Sequence, residues 1–127
     1  MTPPEGGTPV GPYTPAVRAG DLVILSGQVG ATPGPDGKPQ LVEGGTEAEL
    51  RQALANVRTL LATQGGSLDD VVKTTVFLVD MGDYAMLNEV WMATFADPRP
   101  ARTAIGVASL PLGARVEVEA WAHLPAG

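Results

Sequence analysis

Pro100-Ala101-Arg102-Thr103, then Leu110-Pro111, then Val116-Glu117-Val118-Glu119-Ala120 read as two short strands joined by a turn. A cation stands near the start of the first strand, and carboxylates stand inside the second. Charge in the middle of a small β core is costly unless something pairs with it. Arg102 and Glu117 are therefore the first candidates for a binding or catalytic site. Two readings are open for Arg102. Its planar fork can clamp a carboxylate ligand through two oxygens, or it can form a structural ion pair with Glu117 or Glu119 on the adjacent strand. Glu117 can serve as a general base or water-positioning acceptor, or it can sit solvated on the outward face of an alternating strand.

In the last strand, from about Ala114 to His123, Val116, Val118, Ala120 and Ala122 face one way, and Arg115, Glu117, Glu119, Trp121 and His123 the other. The strand before it runs from about Ala101 to Ser109. Asp83 can cap a helix in which Leu87, Trp91 and Phe95 stack at four-residue spacing, with Pro98 and Pro100 ending it. Val71 to Val79 is rich in β-branched residues, bounded by Asp70 and Asp80, and apolar on both faces, which predicts a strand. Thr46-Glu47-Ala48-Glu49 fits a capping box. It opens a helix whose apolar face is Leu50, Ala53, Leu54, Val57, Leu60 and Leu61, and Gly65-Gly66 stops it. Ala31 to Gly45, with three prolines and several glycines, reads as a loop. Leu22 to Leu25 is a strand ending in Ser26-Gly27-Gln28, and residues 1–8 read as a flexible terminus. The order β, β, α, β, α, β, β predicts an α+β sheet with two helices on one face. Two helices cannot cover both faces, so the partly apolar second face predicts a partner subunit.

A chain of 127 residues, 44% hydrophobic and 17% charged, is expected to form a single globular domain over 1–127. A net charge of -6 argues against nucleic acid or an anionic membrane as the main partner. Cysteine is absent, which excludes disulfides, thiolate nucleophiles and thiolate metal sites. No apolar run reaches the length of a membrane span, and no basic-then-apolar leader opens the sequence, so a cytoplasmic location is expected. His123, the single histidine, lies near the end of the chain, where nothing supports a Ser-His-Asp triad or a metal site. The pairs Gly44-Gly45 and Gly65-Gly66 fit no phosphate-binding fingerprint, so no nucleotide cofactor is expected. Three lesser candidates remain. Ser26 either presents its hydroxyl at a strand end or belongs to a plain turn. Tyr13 either covers a ligand or packs as an aromatic near a terminus. Asn88, leaning away from the centre of its helix stripe, is either solvated or bonded to loop backbone.

Taken in order, these residues resemble the RidA family (reactive intermediate deaminase A, also called YjgF). The matching segments are Gly11-Pro12-Tyr13, Ser26-Gly27-Gln28, Ala53-Leu54-Ala55-Asn56-Val57, Val72-Lys73-Thr74-Thr75-Val76-Phe77, Asn88, Pro100-Ala101-Arg102-Thr103, Leu110-Pro111 and Val116-Glu117-Val118-Glu119-Ala120. They span roughly Val10 to Leu124. The resemblance implies a chorismate-mutase-like, YjgF-type mixed sheet and a homotrimer with ligand clefts between subunits. It implies hydrolysis of enamine and imine intermediates such as 2-aminoacrylate to 2-keto acid and ammonia, without a cofactor. Arg102 matches the arginine that binds the substrate carboxylate. Glu117 matches the acidic residue that places or activates water, and Tyr13, Ser26 and Asn88 match residues lining the cleft. Ala104 stands where many members carry a cysteine, and Gly106 where close relatives carry a larger residue. The alternative is a binding or regulatory module that holds a keto acid or amino acid by its carboxylate without turnover. A nuclease reading, also attached to this family, fits the acidic balance least.

Overall fold

The structure is a computed structural model that describes residues 12–125. The terminus expected to be flexible lies outside the described residues, as does Gly11 of the matching segments. In chain order the elements are β1 Ala16–Ala19, β2 Leu22–Leu25, β3 Gln28–Val29, β4 Ala31–Pro33, β5 Pro39–Leu41, α1 Gly45–Thr63, β6 Val71–Leu78, α2 Tyr84–Thr94, β7 Ala101–Gly106 and β8 Val116–His123. The main sheet has the order β1-β2-β8-β6-β7, with β3 also on β8. The pair β6–β7 is parallel, and the remaining pairs of this sheet are antiparallel. This is a mixed α+β sheet, as the alternation of strands and helices predicts.

The helix layer lies where the apolar rows require it. Val116, Val118, Ala120 and Ala122 are buried, and α1 packs over β8, β3 and β2 with Leu50, Ala53, Leu54, Val57, Leu60 and Leu61 turned inward. Burying each such leucine contributes roughly 1.5–3 kcal/mol. α2 packs beside α1, burying Leu87, Val90 and Trp91. Among the described residues both helices lie on this face. The opposite face carries Ile24 paired with Trp121 across β2 and β8, and Phe77 paired with Ile105 across β6 and β7. Lys73 lies over the Trp121 ring, 5.2 Å from its centroid. Among the described residues, no helix is long and apolar enough to cross a membrane.

Several local expectations are corrected. Residues 31–45 are not all loop, because β4 and β5 form a small hairpin with Pro33 opposite Pro39. Prolines suit the ends of a two-stranded edge, where no ladder N–H is needed. The hairpin closes through Gly34 N–H to the Lys38 carbonyl and through Gly37 at φ 78°. α1 starts at Gly45 with Gly44 as its N-cap and no side-chain cap, so Thr46 and Glu49 do not form the expected capping box. Glu49 is drawn away by a tertiary partner, Arg115. A capping box does form between Ser67 and Asp70 in the turn before β6. Asp83 makes no side-chain cap on α2, and it is Asp80 that accepts from Gly82 N–H in the turn leading in.

The largest correction concerns the last two strands. β7 ends at Gly106 rather than near Ser109, and β8 begins at Val116 rather than Ala114. They are not neighbours, because β6 runs between them. The α2 crossover lays β7 parallel to β6, while β8 pairs with the other edge of β6.

Candidate functional site

Arg102 opens the helix-facing row of β7. Its register partner on β6 is Thr74, itself paired with Ala120 on β8, and both are buried under the helices. Paired residues of neighbouring strands share a face, so Arg102 points to the helix layer, where α2 receives it. Its Nη2 donates to Asn88 Oδ1 at 2.8 Å and to Tyr84 Oη at 3.2 Å. The guanidinium carbon lies 5.3 Å from the Trp91 ring centroid and 5.5 Å from that of Tyr84. Tyr84, Asn88 and Trp91 fall at i, i+4 and i+7, one face of α2. Asn88 is therefore half-buried against the arginine and bonds a side chain, not loop backbone. Among the described residues no carboxylate pairs with Arg102, and its Nε and Nη1 donate to no acceptor. The ion pair with Glu117 or Glu119 does not form, because those carboxylates are two strands away and on the other face.

Glu117 pairs with Phe77 on β6 and with Val29 on β3, and faces the sheet side that the helices leave open. Its carboxyl rests on Gly27, at the break between β2 and β3, which follow one another along β8, and a Cβ at Gly27 would fall 2.6 Å from Glu117 Oε2. Only glycine lets the carboxyl lie this close. Burial, reinforced by the neighbouring Glu119 charge, raises the Glu117 carboxyl above its ordinary value of 4.5. Ser26 precedes Gly27 at the same break. Its Oγ–H donates to the Thr14 carbonyl at 2.7 Å, and its N–H donates to the Pro15 carbonyl. These bonds tie Thr14 and Pro15 to the residue before Gly27.

The predicted site residues thus form two groups. Ser26 and Glu117 lie at the break between β2 and β3, with Tyr13 next to Thr14, which Ser26 bonds, and Arg102 and Asn88 gather under α2. Counting register, the groups are separated by about 10 Å along the strands and about 10 Å across them, and by the thickness of the sheet. Sequence reasoning missed Tyr84 and took Trp91 for core alone. The spacing of both with Asn88 was the signal available. His123, also on the open face and paired with Leu22, is exposed and makes no side-chain hydrogen bond or ion pair among the described residues. His123→Ala is expected to keep imine hydrolysis within about twofold of the parent in a steady-state assay, as an exposed residue outside both groups should.

The geometry is that of a small α+β protein with a half-buried arginine held by neutral groups and aromatic rings and, among the described residues, met by no carboxylate. The sequence model of the family described as Endoribonuclease L-PSP matches residues 6–124, and the chain belongs to this family, which is also the RidA/YjgF family. Among relatives, the mouse 2-iminobutanoate/2-iminopropanoate deaminase is 45% identical over 113 residues, covering 89% of this chain and 82% of its own. The crystal structure of RidA from the Antarctic bacterium Psychrobacter sp. superposes with a TM-score of 0.85 at 42% identity, over 92% of each chain. That of a putative endoribonuclease from Thermotoga maritima superposes at 0.87 with 37% identity, over 100% of this chain and 99% of the other.

Proposed function

We propose that this protein hydrolyses 2-imino acids, and the 2-aminoacrylate-type enamines that tautomerise to them, to 2-keto acids and ammonia. The observation that carries the reading is the Arg102 guanidinium, which meets no carboxylate among the described residues and is held as a carboxylate clamp by Tyr84, Asn88 and Trp91. An imine carbon is already electrophilic, so the protein has to hold the carboxylate and place one water. In this mechanism Glu117 accepts a proton from that water as its oxygen bonds to the imine carbon. That proton is returned to nitrogen, which gives a carbinolamine. Glu117 then takes the hydroxyl proton and passes it to nitrogen as the C=O bond forms and the C–N bond breaks, so that ammonia leaves with the keto acid behind. A carboxyl raised toward neutrality suits both transfers. Ser26 spends its proton on Thr14, so it meets ligand or water as an acceptor.

One chain cannot bring Arg102 and Glu117 to the same ligand, because they face opposite sides of its sheet. The reading therefore includes a second copy, in a homotrimer whose clefts pair the Arg102 group of one subunit with the Glu117 group of the next. The uncovered face bearing Ile24, Phe77, Ile105 and Trp121 is the surface for that contact. A cytoplasmic, single-domain enzyme is consistent with the cysteine-free composition. A binding module without turnover would need the Arg102 group alone. The deciding experiment generates 2-iminobutyrate in situ and follows its decay with and without protein, alongside sedimentation at micromolar concentration. Accelerated decay by a trimer supports the proposal. Keto-acid binding with no acceleration favours the binding module, and a stable monomer removes the shared cleft. Ribonuclease activity without imine hydrolysis would favour the nuclease reading.

The raised Glu117 carboxyl gives a pH signature. The base must be ionised, so kcat/KM should fall as pH drops through a value above 4.5. Glu119→Gln removes the like charge and should move this acid limb to lower pH, read from the pH profile after subtracting the uncatalysed rate. The stability sign is the reverse. A raised folded-state value means that the fold favours the protonated form, so this contribution is complete below 4.5 and is lost as pH rises through the folded value. Glu117→Gln is therefore expected to raise Tm at neutral pH while lowering kcat, with no gain in Tm below pH 4.5.

A further inference from the structure

Glu49 is a carboxylate on the inner face of α1, 3% exposed, to which the reaction above assigns no role. Its Oε1 accepts from the backbone N–H of Arg115 at 2.8 Å, and its Oε2 lies 3.5 Å from the Arg115 guanidinium, whose side chain is largely exposed. Arg115 immediately precedes β8. Its carbonyl accepts from Val79 N–H at 3.1 Å, so the backbone entering β8 is gripped through its oxygen by the residue that follows β6 and through its nitrogen by α1. Glu117 follows two residues later.

The same helix residue meets the other side of this junction. Gly30 follows β3, whose last residue, Val29, is the register partner of Glu117. A Cβ on Gly30 would overlap the carbonyl oxygen and Cα of Glu49, so the chain leaving β3 lies directly on α1 at that residue. About two turns further along α1, Asn56 donates to the carbonyls of Val29 and Ala31, which flank Gly30. The segments that bracket the Val29–Glu117 pair, one leaving β3 and one entering β8, therefore both rest on Glu49. Its carboxyl is the only tie from α1 to Arg115 among the described hydrogen bonds.

We propose that Glu49 is a positioning residue for Glu117: by holding the Arg115 N–H it fixes the entry of β8 against β3, and so sets the Glu117 carboxyl on Gly27. This rests on the assignment of Glu117 as the base. What matters is an acceptor oxygen at the correct reach, not the charge, since an ion pair to a largely exposed arginine is worth little. Around Glu117 the charged neighbour is Glu119 on its own strand, while Phe77 on β6 and Val29 and Gly27 at β3 are uncharged.

Two variants separate reach from charge. Glu49→Gln keeps an acceptor at the same reach and loses the charge, and Glu49→Asp keeps the charge and falls one methylene short. Each would be read by carboxyl-carbon NMR titration of Glu117 and by kcat and KM for 2-iminobutyrate. Glu49→Asp is expected to lower kcat by about tenfold to a hundredfold, the scale of a catalytic group displaced by about 1 Å, with KM within about twofold. It should also move the Glu117 midpoint down toward the ordinary carboxyl range as water reaches the loosened junction. Glu49→Gln should retain the midpoint and most of kcat. Glu49→Asp behaving as the parent, or Glu49→Gln falling as far as Glu49→Asp, would overturn the proposal. The titration needs no turnover. If the parent hydrolyses no imine, the functional reading fails while the NMR comparison still decides whether Glu49 sets Glu117.

Discussion

Arg102→Ala is expected to abolish most imine hydrolysis and to weaken 2-keto acid binding at the same time. A charge-assisted hydrogen bond is worth roughly 1.5–3 kcal/mol, and a bidentate pair makes two of them. The corresponding loss in affinity is about tenfold to several hundredfold. Arg102→Lys should fail nearly as badly, because an ammonium keeps the charge but neither fills the planar fork nor spans Tyr84, Asn88 and the Trp91 ring. Little stability is at stake. The arginine has no acidic partner among the described residues, so its removal strands no buried charge. Both variants should keep the parent's oligomeric mass and a Tm within a few degrees, measured before calorimetric titration with 2-ketobutyrate. A folded Arg102→Ala protein with the parent's rate would remove the clamp and most of the case for a deaminase.

Gly30→Ala is expected to damage the fold itself. The added methyl meets the backbone of α1 at Glu49, which cannot rotate away, and Asn56 ties down both neighbouring carbonyls. Overpacking of this kind costs about 3 kcal/mol or more, which lowers Tm by roughly 10 °C in a domain of this size. Gly27→Ala makes the contrast. There the nearest atoms that the methyl meets belong to the Glu117 side chain from Cγ outward, which can swing aside. Tm should hold within a few degrees while kcat falls with the displaced carboxyl. Thermal melts and steady-state kinetics on the two variants check both halves, and equal Tm losses would show that the Gly27 contact is structural.

The sequence made most of the core visible, since the six inward residues of α1 and the aliphatic row of β8 follow from periodicity alone. What it hid was long-range. Reading 100–120 as a hairpin failed because nothing local distinguishes a strand that returns to its neighbour from one that α2 has carried to the far edge of β6. Thr46 and Glu49 match a capping box residue for residue, yet Glu49 is claimed by Arg115, 66 positions away. Arg102 and Glu117 were legible as candidates because charge inside strands needs a reason. That they face opposite sides was not, because it depends on the register through β6. Tyr84 escaped because an aromatic at the start of a helix has no feature of its own until the arginine beneath it is placed.

The opposite orientation of Arg102 and Glu117 also has a genetic consequence. If each cleft draws its arginine from one chain and its glutamate from another, two separately inactive alleles can rescue each other. Chains carrying Arg102→Ala and chains carrying Glu117→Gln, co-expressed in equal amounts and assembling at random in a cyclic ring, would form about one wild-type cleft in every four. Activity near a quarter of the parent's would then emerge from two dead proteins on mixing as unfolded chains and refolding together. A site contained within one subunit would give none.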